Sequence, residues 1–389
     1  MTKKSSKVTK MKTPVISWQN LNSDEQAQAL ARPAIANNAV LSEQVTAIID
    51  EVKASGDQAL YNLTEKFDGI KLASLKVPND KIEAAVARLS EKRLKAIHTA
   101  HQQITKFHRA QQFTDITVET CPGVVCTLKS EAIESVGLYI PAGSAPLPST
   151  VLMLGTPSAL AGCERVVLVC PPDKNGQLAD EVLAAAKVCG ITEIYTIGGA
   201  QAVAALALGT DTIAPVNKVF GPGNRYVTEA KKQLSQLVPG FTIDMPAGPS
   251  EVLVLADKNA NPAFIAADLL SQAEHGPDSQ VILVTDCPTI IDSTQVELEK
   301  QLALLSRKGI AAQALSQSRL ILTASISEAI NVSNEYGPEH LIVQTENANA
   351  LLGKLRNAGS IFVGRYTPES AGDYASGTNH VLPTYGYSK

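Results

Sequence analysis

From residue 136 onward, short apolar runs alternate with stretches of helical periodicity, and this alternation constrains the fold more than any other feature of the sequence. The apolar runs are rich in Val, Ile and Leu and are bounded by Gly, Pro or polar residues. Such a rhythm is typical of βαβ units, in which helices cover both faces of a buried parallel sheet. We therefore predict an α/β fold built on parallel sheets.

The predicted strands fall into two groups, one before and one after Ser250. The first group is 166–169, 194–197 and 219–220, with helices at 150–161, 179–188 and 200–208. The second group is 252–255, 281–284, 320–322, 341–343 and 361–363. The pattern from Leu41 to about Phe113 is mainly helical, and the first 33 residues resemble an arm that packs on another part of the protein.

These patterns predict three regions. Residues 1–33 form an N-terminal arm, residues 34–138 and 250–389 form a first α/β domain, and residues 139–249 form a second α/β domain inserted into the first. In open parallel sheets, ligands bind beyond the carboxyl ends of the strands. We therefore expect ligands at those ends or between the two domains.

Composition excludes several classes of function. The net charge of −4 and the pI near 5.9 give no basic surface for nucleic acid. Lysines cluster between residues 3 and 12, but no apolar segment of a secretory signal follows them. No apolar run is long enough to cross a membrane. The six cysteines form no CxxC pair and are predicted to be reduced thiols. We predict a cytoplasmic protein with no nucleic-acid or membrane partner.

Four Gly- and Pro-rich loops follow or flank the strands of the inserted domain: 139–144, 198–201, 221–224 and 246–250. Glycine lets backbone amides approach a ligand closely, and a following helix N-terminus favours phosphate. Each loop alone is typical of an ordinary turn, and no GxGxxG motif is present. Together the four loops favour a nucleotide or phosphate site.

Three polar motifs follow in the second half of the chain. Gln272 and His275 are three residues apart on a predicted helix, 268–275, and their shared face could hold zinc, although two ligands are too few and His275 could simply cap the helix. Glu339 and His340 enter a strand and can supply two general bases, or their segment could be a polar loop that caps a helix. Asp373 could complete a metal site, with His380 as a rival ligand, or the segment could be a polar loop.

In their order along the chain, six segments resemble the histidinol dehydrogenase family. The resemblance extends from about Trp18 to the last residue, and its most specific segments are 137–146, 220–224, 244–252, 270–278, 336–341 and 370–380. It implies two incomplete Rossmann-like domains, with arms exchanged in a homodimer. It also implies an oxidoreductase of histidine biosynthesis that converts L-histidinol to L-histidine through L-histidinaldehyde and consumes two NAD.

The resemblance also implies roles for particular residues. Tyr139, Gln201 and Asn224 would contact NAD. One zinc ion per subunit would be bound by Gln272, His275 and Asp373. Ser250, His340 and the zinc ligands would hold the substrate, and Glu339 and His340 would act as bases.

In the family, the chain continues past the segment 384–387 into a helical tail. That tail supplies a further histidine ligand to zinc and a substrate-binding glutamate, and the present sequence ends at Lys389. We therefore expect weaker zinc binding and a smaller dimer interface, without assigning His380 to the missing role. The alternatives are a catalytically impaired member of the family, a dehydrogenase for a related amino alcohol, and an inactive ligand-binding chain.

Overall fold

The computed structural model describes residues 13–32, 39–142, 146–245, 248–373 and 376–379, together with residues 386 and 388. The chain divides into two compact units. Unit 1 comprises residues 1–37, 248–371 and 383–389, and unit 2 comprises residues 38–247 and 372–382. Each unit contains a parallel sheet and its helices, so the predicted α/β class is confirmed. Elements are numbered along the whole chain.

Unit 1 contains six strands: β1 Val15–Ser17, β9 Glu251–Ala256, β10 Gln280–Thr285, β11 Arg319–Leu322, β12 His340–Gln344 and β13 Ser360–Val363. Its helices are α1 Ser23–Ala29, α9 Pro262–Ala273, α10 Pro288–Leu302, α11 Lys308–Ser316, α12 Ile326–Tyr336 and α13 Ala348–Leu351, and 3-10 turns lie at Trp18–Asn20 and Leu352–Lys354. A short helix, α14 Ser370–Asp373, spans the boundary between the units.

The sheet of unit 1 has the order β1-β11-β10-β9-β12-β13, and every neighbouring pair is parallel. Its central strands are buried on both faces because alternate residues enter two different apolar clusters. Val252 and Val254 belong to one cluster, and Leu253 and Leu255 belong to the other. Trp18 of the arm is buried in the second cluster, so the predicted arm packs on this unit.

Unit 2 begins with three helices and a hairpin: α2 Ala39–Asp68, α3 Asn79–Arg88, α4 Glu91–Arg109, β2 Ile116–Cys121 and β3 Val124–Leu128. The sheet and its crossover helices follow: β4 Ser135–Tyr139, α5 Pro148–Ala161, β5 Arg165–Val169, α6 Asp180–Val188, β6 Glu193–Tyr195, α7 Gly199–Leu208, β7 Lys218–Phe220, α8 Arg225–Leu237 and β8 Thr242–Ile243. The sheet order is β6-β5-β4-β7-β8, again fully parallel, and β2 pairs with β3 alone.

Residues 39–138 belong to unit 2 in the structure, whereas the sequence pattern placed residues 34–138 with residues 250–389. The reason is the packing of α2. Leu60 and Leu63 of α2 share one buried cluster with Ala202 and Val203 of α7. Helical periodicity shows that a helix has an apolar face, but it does not show which sheet that face covers.

The two sheets share one connection order. In unit 2 the chain starts at the central β4, adds β5 and β6 on one side and then β7 and β8 on the other. In unit 1 the arm strand β1 forms one edge, and the chain returns at β9, adds β10 and β11, and then crosses to β12 and β13. Each sheet therefore has a switch point, between β4 and β7 in unit 2 and between β9 and β12 in unit 1.

Every predicted strand is present, and its ends lie within two residues of the prediction. The pattern did not indicate β1–β4 or β8. Within the described ranges, no helix is long and apolar enough to span a membrane. The cysteines are free thiols, and burial raises the pKa of Cys189 to about 11.

Candidate functional site

The candidate NAD residues of unit 2 lie where strands end. Tyr139 is the last residue of β4, Gln201 lies in the first turn of α7 after β6, and Asn224 is the N-cap of α8 after β7. All three therefore occupy the carboxyl edge of the sheet, the side at which its parallel strands end. This is the edge at which open α/β sheets bind nucleotides.

Close backbone approach holds Tyr139 and Gln201 together. The Gly199 N–H donates to the Tyr139 hydroxyl at 3.1 Å, and a Cβ on Gly199 would lie 2.6 Å from Gln201 Oε1. Gly221 has φ +124°, and a Cβ there would lie 2.1 Å from the carbonyl oxygen of Tyr139. Burial raises the pKa of Tyr139, so its hydroxyl stays protonated at neutral pH. Glycine is needed at both positions because a side chain would displace Tyr139 or Gln201.

Asn224 has a local structural duty. Its Oδ1 accepts the backbone N–H groups of Tyr226 at 3.0 Å and Val227 at 3.2 Å, which caps α8. The side chain is exposed. The structure thus brings Tyr139 and Gln201 into one cluster and places Asn224 at the same edge.

Sequence reasoning missed an ion pair beneath this loop. Lys231 Nζ lies 2.7 Å from Asp244 Oδ1 and donates to the Gly221 carbonyl oxygen at 2.5 Å, while Asp244 Oδ2 accepts the Gly221 N–H at 2.7 Å. The side chains of Lys231 and Asp244 are only 1% and 3% exposed. Burial lowers the pKa of Lys231, and Asp244 opposes that change. The pair therefore clamps both polar backbone groups of Gly221.

The candidate bases of unit 1 lie at the opposite edge of their sheet. His340 is the first residue of β12 and Glu339 precedes it, so both lie at the amino edge, where the parallel strands begin. Gln272 reaches the same edge because α9 follows β9 and runs back antiparallel to it. The sequence pattern places Glu339 and His340 at the entrance of a strand, and the structure confirms that position.

The backbone of Glu251 at the start of β9 orients both bases. Its N–H donates to Glu339 Oε2 at 3.0 Å, and its carbonyl oxygen lies 2.9 Å from His340 Nδ1. A carbonyl oxygen only accepts, so Nδ1 carries the proton of the imidazole and Nε2 is the basic nitrogen. Gln272 Nε2 also lies 3.3 Å from Nδ1, but two donors cannot bond to each other. The second approach is therefore a close contact without a hydrogen bond.

Gln272 is held by a residue that the motifs did not single out. Its Nε2 donates to Glu369 Oε1 at 2.7 Å, and both residues are buried. The Gln272 carbonyl oxygen, Oε1, is also buried and accepts no hydrogen bond from the described residues. A buried carbonyl oxygen without a donor is costly, so this oxygen is available to accept from or coordinate a ligand. The sequence signal for Glu369 was only its place in the segment 368–380.

Arg32, at the end of the described part of the arm, balances the charge of Glu251. Its guanidinium donates to both carboxylate oxygens of Glu251 and, through Nη2, to the carbonyl oxygens of Tyr336 at 2.9 Å and Gly337 at 3.0 Å. It also lies 4.2 Å from the centre of the Tyr336 ring. Burial raises the pKa of Glu251, and Arg32 opposes that change. The arm thus stabilises the residue whose backbone contacts both candidate bases.

The other predicted site residues are placed only in part. Ser250 directly precedes β9, and its carbonyl oxygen accepts the Gln280 N–H at 3.3 Å. His275 lies in an exposed turn, because α9 ends at Ala273, two residues before the predicted end. Asp373 is the last residue of α14, and the structure describes only its backbone. His380 lies outside the described residues. Loop residues 143–145 and 246–247 also lie outside them.

Within the described residues, no group of three or more His, Cys, Asp or Glu side chains could hold a metal ion. The predicted ligand set differs from such a group, because it includes the amide of Gln272 and the undescribed side chain of Asp373. The structure therefore brings Gln272 and His340 together and leaves the complete zinc set a prediction.

The chain contains two parallel sheets with the same switch-point connectivity. One sheet carries polar residues at its carboxyl edge, and the other carries two candidate bases. These features define a two-domain α/β protein of the Rossmann-like class. The sequence profile of the histidinol dehydrogenase family matches residues 30–389. The chain belongs to the histidinol dehydrogenase family, as the resemblance predicted.

Individual relatives agree with the family profile. The histidinol dehydrogenase of Colwellia psychrerythraea is 71% identical over 96% of this chain and 86% of its own length. That of Aliivibrio fischeri is 58% identical over 97% of this chain and 85% of its own. A crystal structure of histidinol dehydrogenase from Elizabethkingia anophelis superposes with a TM-score of 0.92 at 48% identity, covering 97% of this chain and 86% of that chain.

Proposed function

We propose that this chain oxidises L-histidinol to L-histidine through L-histidinaldehyde, with two hydride transfers to NAD and one zinc ion per subunit. Membership of the histidinol dehydrogenase family supports the substrate and reaction. The observation that carries the proposal is the backbone of Glu251, which holds the buried side chains of Glu339 and His340 at the amino edge of unit 1.

The residues of that edge fit a zinc ion. The Gln272 carbonyl oxygen is buried without a hydrogen-bond donor among the described residues, and oxygen and imidazole donors suit zinc. Gln272, His275 and Asp373 would hold the ion. When bound, zinc would supply a positive charge that orients the imidazole and amine of the substrate.

His340 is the proposed base for the alcohol. Its Nδ1–H is fixed by the Glu251 carbonyl, so Nε2 can accept the hydroxyl proton while the carbon-bound hydrogen leaves as hydride to NAD. The bond to Glu251 also stabilises the imidazolium that forms. One proton and one hydride leave, and the alcohol becomes the aldehyde.

Glu339 is the proposed base for the second stage. Its carboxylate, anchored at Oε2 by the Glu251 N–H, accepts a proton from water as the water oxygen bonds to the aldehyde carbon. The imidazolium of His340 returns its proton to the aldehyde oxygen, and the product is the hydrate, which carries one hydrogen on the former aldehyde carbon. This hydrogen leaves as hydride to a second NAD while His340 accepts a hydroxyl proton of the hydrate, and the carboxylic acid forms.

The carboxyl edge of unit 2 is the proposed NAD site. Tyr139 and Gln201 are held together there by Gly199 and Gly221, because a side chain at either glycine would displace them. Asn224 and the N-terminus of α8 lie at the same edge. Ser250, at the amino edge of unit 1, is proposed to contact the substrate.

The direct test measures NADH and L-histidine formed from L-histidinol and NAD, with two NADH expected for each histidine. Removal of metal by a chelator should abolish turnover, and added zinc should restore it. L-Phenylalaninol, which keeps the amino alcohol but lacks the imidazole, serves as the control. Equal rates for both alcohols, or one NADH for each histidinol consumed, would count against the proposed function. The homodimer with exchanged arms and the cytoplasmic location are further proposals, checked by sedimentation and by cell fractionation.

A further inference from the structure

Glu369 is a buried carboxylate that the proposed reaction does not use. It is 1% exposed, and each of its carboxylate oxygens has a donor. Oε1 accepts Gln272 Nε2 at 2.7 Å, and Oε2 lies 3.0 Å from the Ser271 hydroxyl, which shares its one proton with the Asp268 carbonyl oxygen at 2.8 Å. Two consecutive residues at the end of α9 therefore contact one carboxylate.

This carboxylate decides which way the Gln272 amide faces. A side-chain amide has a donating NH₂ and an accepting oxygen, and the two can exchange places by rotation. A carboxylate only accepts, so it selects the NH₂. The rotated amide would set two oxygens against each other at 2.7 Å. The carbonyl oxygen is thereby turned away from Glu369, to a position where it accepts no hydrogen bond from the described residues.

The segment that carries Glu369 is itself fixed to α9. The backbone N–H of Glu369 donates to Asp268 Oδ1 at 3.3 Å, and Asp268 Oδ2 accepts Gln344 Nε2 at 2.8 Å. Asp268 is 4% exposed. Glu369 is thus held at both its backbone and its side chain, and it has the rigidity that the orientation of a metal ligand requires.

We propose that Glu369 is a positioning residue: it fixes the Gln272 amide with its carbonyl oxygen toward the zinc ion and, through its negative charge, increases the donor strength of that oxygen. The inference rests on the proposed zinc site. Partners of this kind behind a ligand typically change metal affinity by about 10–100-fold.

The variant Glu369→Gln tests this role. An amide at position 369 can pair with the Gln272 amide in either orientation, so the selection of Oε1 is lost while the cavity stays filled. We expect the zinc dissociation constant, measured by competition with a chromophoric chelator, to rise about 10–100-fold. The melting temperature of the metal-free protein should change little. Glu369→Asp, which keeps the carboxylate, should bind zinc more tightly than Glu369→Gln.

Ser271→Ala is the matched control, because it removes the other side-chain contact of the same carboxylate without changing Gln272. Its zinc affinity should stay close to that of the unaltered chain. If Ser271→Ala and Glu369→Gln weaken zinc binding equally, and both lower the melting temperature of the metal-free protein, Glu369 is only structural and the inference is overturned.

Gln272→Ala separates the inference from the proposed function. If the unaltered chain binds no zinc, or if Gln272→Ala binds it as tightly, the zinc site itself is wrong. If Gln272→Ala loses affinity while Glu369→Gln keeps it, the zinc site stands and only the role of Glu369 is refuted. A loss in both variants, with an unaffected Ser271→Ala, supports the inference.

Discussion

The two units have the same strand connectivity but carry their polar residues at opposite edges of the sheet. In unit 2 the candidate residues follow β4, β6 and β7, at the carboxyl edge. In unit 1 they precede β9 and β12 or end α9, at the amino edge. Strand order thus locates a switch point, but whether a polar residue precedes or follows its strand decides the edge at which it lies.

The two edges also differ in charge. In unit 2, Lys231 and Asp244 form a balanced buried pair. In unit 1 the carboxyl side chains of Glu251, Asp268, Glu339 and Glu369 are buried, and the guanidinium of Arg32 pairs with Glu251. Burial of a carboxylate is costly unless an opposite charge or hydrogen bonds offset it. Unit 2 offsets its buried carboxylate with a lysine, whereas unit 1 uses backbone and side-chain hydrogen bonds in addition to Arg32.

The largest effect is expected for His340→Ala, which tests the proposed catalytic base in unit 1. We expect the rates of both oxidations to fall by about 10²–10⁴-fold, because Nε2 of His340 is the proposed proton acceptor for the alcohol and for its hydrated aldehyde. Zinc content, measured by mass spectrometry of the metal, should stay near normal, since His340 is not among the proposed zinc ligands. Loss of zinc together with activity would show that His340 is a ligand and would refute its assignment as a base.

Lys231→Met challenges the balanced pair of unit 2. It leaves the Asp244 carboxylate buried without its cation, and we expect the free energy of unfolding to fall by about 3 kcal/mol. Urea unfolding followed by circular dichroism measures this effect. Lys232→Met, at the exposed neighbour, is the control and should change stability by less than about 0.5 kcal/mol. A similar loss of stability in both variants would show that the Lys231–Asp244 pair does not specifically stabilise unit 2.

Through Asp268, the free energy of unfolding of unit 1 should depend on pH. The Lys231–Asp244 pair gives no such prediction for unit 2. Burial raises the pKa of Asp268 to about 6. The folded protein therefore binds more protons than the unfolded chain between about pH 4 and pH 6. Stability from this group is fully present below about pH 4 and is lost as the pH rises through about 6.

Asp268→Asn should therefore be more stable, relative to the unaltered chain, at pH 7 than at pH 4, by about 2 kcal/mol. The Gln344 amide can rotate so that its oxygen accepts from the introduced amide, because Gln344 Oε1 has no hydrogen-bond donor among the described residues. Urea unfolding of metal-free protein, followed by the fluorescence of Trp18, reports on unit 1. A stability difference that is the same at both pH values would show that Asp268 ionises normally.

The smallest expected effect concerns the carboxyl edge of unit 2. A side chain in Gly221→Ala would displace the Tyr139 carbonyl, and we expect the KM for NAD to rise about tenfold, a change of about 1.4 kcal/mol. Gly240→Ala also has a positive φ, but its Cβ would meet no atom within 4 Å, so it controls for backbone strain alone. Equal KM values for NAD in the two variants would show that Gly221 does not contribute to NAD binding.

Much of the fold could be predicted from the sequence. The strands of unit 1 after Ser250 are nearly continuous apolar runs, because a parallel strand is buried on both faces. The hairpin of β2 and β3 was missed because its strands are exposed throughout and carry no apolar contrast. The two-residue β8 and the three-residue β1 are too short for a periodic pattern, and both form by pairing with an existing sheet edge.

The residues of the candidate sites could also be predicted only in part from the sequence. Local motifs identified Gln272, Glu339 and His340, because unusual polar residues beside strands stand out in the sequence. They did not identify Arg32, Lys231 or Glu369. The partners of Arg32 and Glu369 are far away in the chain: Arg32 meets Glu251, and Glu369 meets Gln272.

By itself, the sequence determined the α/β class, the family and the residues that carry polar chemistry, because each depends on patterns within a short stretch of chain. Only the tertiary structure decided that residues 39–138 belong to unit 2, and that Glu251 and Glu369 contact the side chains of His340 and Gln272. These properties depend on contacts between residues far apart in the chain, and such contacts leave no periodic signal in a single sequence.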